Sequence, residues 1–484
     1  MHAARQMPSW LIFDVGQNLT RTTALVLLLS LPSDKTAQQL TQRRSLSMNA
    51  HAFTTAVAFA IAAPLFAQVR KKGGPPDAAA QAVALAETFR GITTHGTPEL
   101  GLFPIRSTGV STEPVQKAAE AFLAALSNEQ RMKTMFPIDD SEWRKWSNVS
   151  RYNRQGVSFD EMTEAQRTAA TDLLRASLSA NGLKLSQDIM KLNHTLGELN
   201  HDNFTEYGEW LYHITVMGSP SADKPWGWQL DGHHLIINYF VLRDQVVMTP
   251  TFVGSEPVIA RAGKYKGVKI LQNEQSRGLA MLRSLDKSQR DKAVIEVSKT
   301  GNNILTEAFK DNVVLDFAGL RAAQLNVQQR SELLELIGLF VGNLRDGHAR
   351  VRMEEVAAQL DNTYFAWIGG SADYSVFYYR IHSPVILIEF DHLRPVNTRH
   401  LSTNPQLPMQ DHIHIVVRTP NGNDFTAKTC LGNTTSSRST DGRTLFLQDL
   451  KTKTPNKAPE PTTMAVTSRA PSSTSRASHG RGSS

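Results

Sequence analysis

Residues 226–242 read WGWQLDGHHLIINYFVL, and the fold class turns on how this stretch is taken. It is rich in β-branched and aromatic residues, which fit a pleated surface, and it predicts a tryptophan-flanked β-strand with two adjacent histidines inside it. Successive strand side chains point to opposite faces, so His233 and His234 cannot share one pocket unless the strand is distorted. Gly232 permits a bulge that would free His233 from strict alternation. His234, in phase with Ile236 and Asn238, is the preferred inward residue.

Working outward, EWLYHITVMG (209–218) and DQVVMTPTFVG (244–254) have the same character, with turn signals between, so 207–259 predicts an antiparallel meander. Upstream, from about 78 to 200, AAAQAVALAETFRGI, EPVQKAAEAFLAAL and TEAQRTAATDLLRASLSANG repeat apolar residues at three- and four-residue spacing. The last ends on Asn181-Gly182, read as a helix stop. Downstream, 274–311 and 327–360 return to helix, with DKSQRDKAVIEVS and NVQQRSELLELIGLFVGNL the clearest cases, and Asp346-Gly-His348 reads as a stop signal. Strands resume in TYFAWIGG, SVFYYRIHSPVILIEFDH and HIHIVVRTPNG. Helices and strands are segregated, which predicts an α+β fold: an N-terminal helical region packed on a mostly antiparallel sheet built from the middle and C-terminal strands.

The 484 residues are 40% hydrophobic and 20% charged, with a net charge of +7. Residues 1–72 hold eight Lys/Arg against two Asp/Glu, and 426–484 hold nine against three. The two ends therefore carry twelve net positive charges and 73–425 carry −5, so the high overall charge is no sign of a nucleic-acid partner, and no basic patch interleaved with aromatics points to one. The one cysteine, Cys430, excludes an internal disulfide and any Cys-rich metal site, so metal ligands must be His, Asp or Glu.

FTTAVAFAIAAPLFA (53–67) has the length of a signal-peptide core and is too short for a stable membrane span. With Met48 as initiator, 1–47 reads as an upstream extension, 48–67 as an export signal, 68–79 as a linker and 80–425 as a single domain. Arg43-Arg44 offers a twin-arginine alternative. Residues 426–484, rich in Ser, Thr, Pro and Arg, predict disorder. The expected location is periplasmic or extracellular.

WSNVSRYNRQGVSF, GSPSADKPWGWQLDGHHLIINYFV, TPTFVGSEP, YFAWIGG, YYRIHSPVILIEFDH and HIHIVVRTPNGNDF together resemble the bacterial and fungal family called domain of unknown function 3500, over roughly residues 80–425. Family members continue after the Asn-Asp pair with Tyr-Gly and a further histidine. Here Asn423-Asp424 is followed by Phe425-Thr426 and an unrelated tail, a departure that suggests a frameshift or an altered gene end.

Chemistry gathers in the strands. His412 and His414 are two apart, so they project from one face and can chelate an ion with two imidazoles. Glu389 ends an apolar strand, where a carboxylate must be paired, hydrogen-bonded or metal-bound. With His234 or His233 these residues make a three-histidine, one-carboxylate set suited to one divalent transition metal, Zn, Mn, Fe or Cu. Arg380 and Arg418 lie at strand ends, as anchors for a carboxylate or phosphate or as internal ion pairs with Glu389 or Asp391. Trp226, Trp228 and Trp367 line a cleft or pack the core. Glycine-rich phosphate loops, Gly-x-Ser-x-Gly and His-Glu-x-x-His are all missing, and the serines of GSPSADKP read as a turn. Two readings follow: an exported metal-dependent enzyme, hydrolase or oxidoreductase, using Glu389 and Arg418 on a small-molecule substrate, or a non-catalytic periplasmic protein that binds a small ligand.

Overall fold

The computed structural model describes residues 77–425. The upstream extension, the export signal, Arg43-Arg44, most of the linker, the 426–484 tail and Cys430 lie outside the described residues. Among the described residues the strands are β1 (Met135–Phe136), β2 (Val157–Ser158), β3 (Tyr212–Met217), β4 (Trp226–Gly232), β5 (Leu235–Leu242), β6 (Gln245–Val247), β7 (Thr251–Ser255), β8 (Val294–Glu296), β9 (Leu320–Arg321), β10 (Tyr364–Gly369), β11 (Phe377–His382), β12 (Leu387–His392) and β13 (Ile413–Arg418). The helices are α1 (Ala78–Ala86), α2 (Glu113–Ala125), α3 (Asn128–Thr134), α4 (Glu164–Ser177), α5 (Ala180–Leu199), α6 (Gln272–Ser284), α7 (Lys287–Ala293), α8 (Val327–Val341) and α9 (Asp346–Ala358).

All thirteen strands join one sheet whose main path runs β1-β3-β4-β5-β7-β13-β12-β11-β10-β8. Its pairs are antiparallel except β1 with β3 and β10 with β8. The class is α+β, with the C-terminal strand β13 inserted between β7 and β12 and so joining the middle strands to the last ones. No helix among the described residues is long and apolar enough to cross a membrane.

The two-residue period of the strands sorts their side chains onto two unlike faces. One carries Trp228, Leu230, Leu235, Ile237, Val253, Ile415, Ile388 and Tyr379, and packs against Leu174, Ile189, Leu282 and Ile337 of the helices. The other carries Gln229, Asp231, Asn238, His414, Arg418, Glu389, Asp391 and Arg380, as the strand registers require. Irregular segments cover this second face, with Trp143, Trp146, Ile304 and Phe309 packing on Ile236, Phe252 and Val416. Its polar groups are buried, so each needs a partner. Gln229 Nε2 donates to Asn238 Oδ1 at 2.7 Å and to the Trp143 carbonyl at 3.1 Å, and Asn238 Nδ2 donates to the Pro250 carbonyl at 2.8 Å.

Several sequence readings are corrected. Asn181-Gly182 does not stop a helix; it opens α5, with Ser179 Oγ accepting from Gly182 N at 3.0 Å. Glycine is needed there because a Cβ would lie 2.2 Å from the Asn343 carbonyl oxygen. Asp346-Gly-His348 likewise begins α9. DKSQRDKAVIEVS is helical only to Ala293, where β-branched Val294 and Ile295 enter the sheet as β8, and 297–319 carries no helix. Of the two readings open for the tryptophans, core packing is the one found and needs no correction: Trp226, Trp228 and Trp367 are fully buried, Trp228 stacked on Tyr239 and Trp367 on Phe377.

Candidate metal centre

GHHL is a hairpin turn. Gly232 pairs with Leu235, which leaves His233 and His234 as the two-residue connection between β4 and β5. His234 takes the left-handed conformation (φ 63°), as such short turns demand at one or both central positions, usually of Gly, Asn or Asp. The expectation of a continuous strand with opposed imidazoles therefore fails. Gly232 is obligatory at the entrance, since a Cβ would sit 2.1 Å from the Tyr212 ring. Tyr212 OH donates to the His233 carbonyl at 3.0 Å and Gly254 N to the His234 carbonyl at 2.9 Å, fixing the turn against β3 and β7.

The two rings stack at 3.9 Å between centroids, yet they serve different partners. His233 Nδ1 lies 2.8 Å from Asn193 Oδ1, and Asn193 Nδ2 donates to the Gly208 carbonyl at 2.8 Å. That second bond orients the amide, so Nδ1 of His233 is the donor and Nε2 keeps its lone pair. His234 Nε2 instead lies 3.1 Å from His414 Nε2, which is 3.0 Å from His412 Nε2. Nitrogen atoms of all three lie within 4.8 Å of one another, on residues no more than 6% exposed.

Hydrogen bonding alone satisfies this trio poorly. His412 Nδ1 lies 2.8 Å from the Arg394 carbonyl, which only accepts, so Nδ1 carries a proton and Nε2 is the atom turned to the trio. A single N–H on His414 can serve only one of its two neighbours well. Nitrogens bound at 2.0–2.1 Å to one tetrahedral ion lie about 3.3 Å apart, close to the 3.0 and 3.1 Å found here. Burial, and then the neighbouring histidines, hold His234 and His414 well below the usual imidazole range, in the neutral form that binds metals.

Glu256 backs the trio, 3.6 Å from His412 Nδ1. Its carboxylate accepts from the N–H groups of Val396, Asn397 and Thr398 at 2.8–2.9 Å and from the Thr398 hydroxyl at 2.6 Å. Burial alone would raise Glu256, but His412 and the Thr398 and Asn397 donors outweigh it and hold the acid ionised. Gly254 stands opposite His414 in the ladder. A Cβ there would come within 2.5 Å of the Ile413 carbonyl oxygen and 3.1 Å of the His414 ring, so glycine leaves the imidazole its space.

The family described as protein of unknown function, DUF3500, matches residues 108–427 of the 484. The chain belongs to this family. Every strand named above and all three converging histidines fall inside the DUF3500 match. No curated protein and no solved structure matches this DUF3500 chain.

The remaining candidates fall elsewhere. Glu389 shares the face of His414 but does not join the trio. It accepts from the N–H groups of Leu305 and Thr306 at 2.9 and 3.0 Å, from Tyr378 OH at 2.7 Å and from the Thr306 hydroxyl, so both oxygens are used by protein donors. Asp391, directly across from His414, pairs with Lys299 at 3.1 Å and accepts from Asn303 N at 2.7 Å. Arg418 is fully buried between Asp311 (2.8 Å) and Asp424 (2.6 Å), with Nη1 donating to the Thr306 carbonyl. Its guanidinium is thus an internal brace rather than a ligand anchor, and its partners are neither Glu389 nor Asp391. Arg380 faces Glu389 across the ladder, with Nη2 donating to the Asp316 carbonyl at 3.2 Å.

Sequence reasoning missed Glu256, Asn193, Arg144 and Asp311. Glu256 had a signal, an acid closing the apolar run TFVGSE; Asn193, inside a helix, had none. A polar cavity of about 410 Å3 adjoins the centre, lined by His233, His213, Arg151, Tyr152 and Glu206. Burial lowers His213 to about 4 and His233 to about 3, so both face it as neutral rings.

Proposed function

We propose that the protein is a metal-dependent hydrolase that holds one divalent transition ion on Nε2 of His234, His412 and His414. The observation that carries this reading is the meeting of three buried imidazole Nε2 atoms, with separations of 3.0 and 3.1 Å along the trio. Three imidazoles with no carboxylate or thiolate would leave a bound ion its full charge, and such an ion could supply activation of water. Zinc suits such a set, and Mn, Fe and Cu are the alternatives. The hydrogen bond from His412 Nδ1 to the Arg394 carbonyl, with Glu256 beyond it, is the kind of outer support that orients metal-binding histidines. A small polar substrate would enter by the cavity beside His233. Export before action rests on the apolar run 53–67, and N-terminal sequencing of the secreted protein tests it by finding Gln68 first.

One observation favours a second reading. His233, but none of the three converging histidines, lines that cavity, which suits an ion that is carried or structural rather than exposed to substrate. Metal analysis of the purified protein is the first test: about one ion per chain is expected, lost in His412→Ala/His414→Ala. Protein that binds none of Zn, Mn, Fe or Cu sinks both readings. Cobalt substitution separates them, because azide changes the visible spectrum of an open site and leaves that of a closed one unchanged.

A further inference from the structure

A cavity of about 1050 Å3 takes no part in the metal centre. It lies at the other end of the same strand: His234 immediately precedes β5, whereas Phe240 and Leu242, which finish it, line the cavity. Thr251 and Val253 of β7, which pair with Ile237 and Leu235, carry the lining back along the sheet, but none of the three converging histidines belongs to it. The larger part of the wall area is apolar, with Phe89, Leu102, Phe103, Met248, Phe340 and Ile386 contributing to it. One wall is the irregular segment 97–105, fastened at both ends. Glu99 N donates to Asn421 Oδ1 at 3.0 Å, and just beyond the segment Thr108 N and Gly109 N donate to the Asp244 carboxylate at 2.8 and 3.0 Å.

On the lining of this cavity lies one buried polar group without a partner. His348 lines the cavity, is 3% exposed, and its Nε2 is buried with no hydrogen bond among the described residues. Buried polar atoms are nearly always satisfied by protein, water or ligand, so the open valence marks where a ligand group belongs. Burial, followed by the charge of Arg345, lowers His348 to about 4, so the ring is neutral near pH 7 and can donate or accept.

Charge narrows the ligand. Arg90 and Arg352 are outnumbered on the lining by Glu99, Asp139 and Glu355. Arg352 is already engaged, with Glu355 at 2.7 Å, the Val385 carbonyl and Thr419 Oγ1. A carboxylate head would meet net negative charge and no free cation in the Arg352 corner. We propose that this cavity binds a small uncharged molecule with an apolar body and one hydroxyl or carbonyl group, which hydrogen-bonds to the His348 imidazole. The size suits it, since pockets of about 300–1,000 Å3 enclose drug-sized ligands.

The test is calorimetric titration of the purified full chain with 1-decanol, with decanoate as the charged counterpart. One decanol per chain is expected, with decanoate at least tenfold weaker. His348→Leu should weaken decanol about fivefold, the weight of one neutral hydrogen bond, and Val247→Trp, which fills the space from a half-buried wall position, should abolish binding. The His412→Ala/His414→Ala protein should bind decanol as the unaltered protein does, which keeps this site separate from the metal centre. Lack of saturable decanol binding, indifference to both cavity variants, or equal binding of decanoate overturns the proposal.

Discussion

Replacing Asp311 by Asn removes one charge from a quartet that is buried and balanced. Arg144 Nε lies 2.7 Å from Asp311 and Arg418 Nη2 lies 2.8 Å from it, while Arg418 Nε holds Asp424 at 2.6 Å; no member is more than 2% exposed. Asn keeps the shape, so no void forms and the change is purely electrostatic. It leaves two guanidinium groups facing one carboxylate. Breaking a buried pair by removing one partner costs about 3–5 kcal/mol, a large part of the roughly 5–15 kcal/mol that holds a domain folded. Adding Arg144→Met removes the stranded charge. The Ala84, Leu85 and Glu87 carbonyls that Arg144 Nη1 and Nη2 served lie at the C-terminal end of α1, half-buried at Ala84 and Leu85 and exposed at Glu87, and losing a neutral-acceptor bond there costs less than stranding a buried charge. The double variant should therefore be more stable than Asp311→Asn alone, a departure from additivity of about 1 kcal/mol or more. Urea unfolding followed by tryptophan fluorescence at fixed pH measures all three proteins. A loss under about 1 kcal/mol for Asp311→Asn, or additive losses in the double variant, would refute the balanced-quartet argument and reopen Arg418 as a ligand group.

Three other outcomes follow from the geometry. His382, buried against Phe317 and lowered to about 3 by burial and then by Arg380, stays neutral in the fold while the unfolded chain protonates it near 6.5. Its contribution is full above pH 6.5 and falls by about 1.4 kcal/mol per pH unit on acidification towards 3, so His382→Leu should flatten the urea midpoint between pH 6.5 and 4; a parallel profile contradicts this. Glu256→Gln should weaken zinc binding roughly 10- to 100-fold in a chelator competition, and unchanged affinity would deny Glu256 its supporting part. Gly254→Ala should weaken zinc roughly tenfold or more by moving His414 and the Ile413 carbonyl, and is contradicted by wild-type affinity in a folded variant.

The α+β class and the strands that form β12 and β13 were legible because alternating aromatic and β-branched runs report a strand directly. Such runs do not report which face is covered by what. Glu389 and His414 lie on the same face, yet the carboxylate belongs to the 303–306 loop, whose N–H groups have no periodic signature. GHHL was misread for a related reason. Its flanks form one long aromatic run, and a histidine at a left-handed turn position lacks the glycine or asparagine that announces a hairpin. The same blindness to long-range partners hid Asp311, which reaches Arg144 and Arg418 from 167 and 107 residues away.

The two sides of the histidine trio are 180 residues apart in the chain, one on a hairpin tip and the other on β13. The binding geometry exists only after β5, β7 and β13 have aligned, which is late in any order of assembly dominated by distant contacts. An ion that binds there has little to hold in the folding transition state and much to hold in the native one. Its signature should then be kinetic: metal removal should hasten unfolding while leaving the refolding rate almost unchanged.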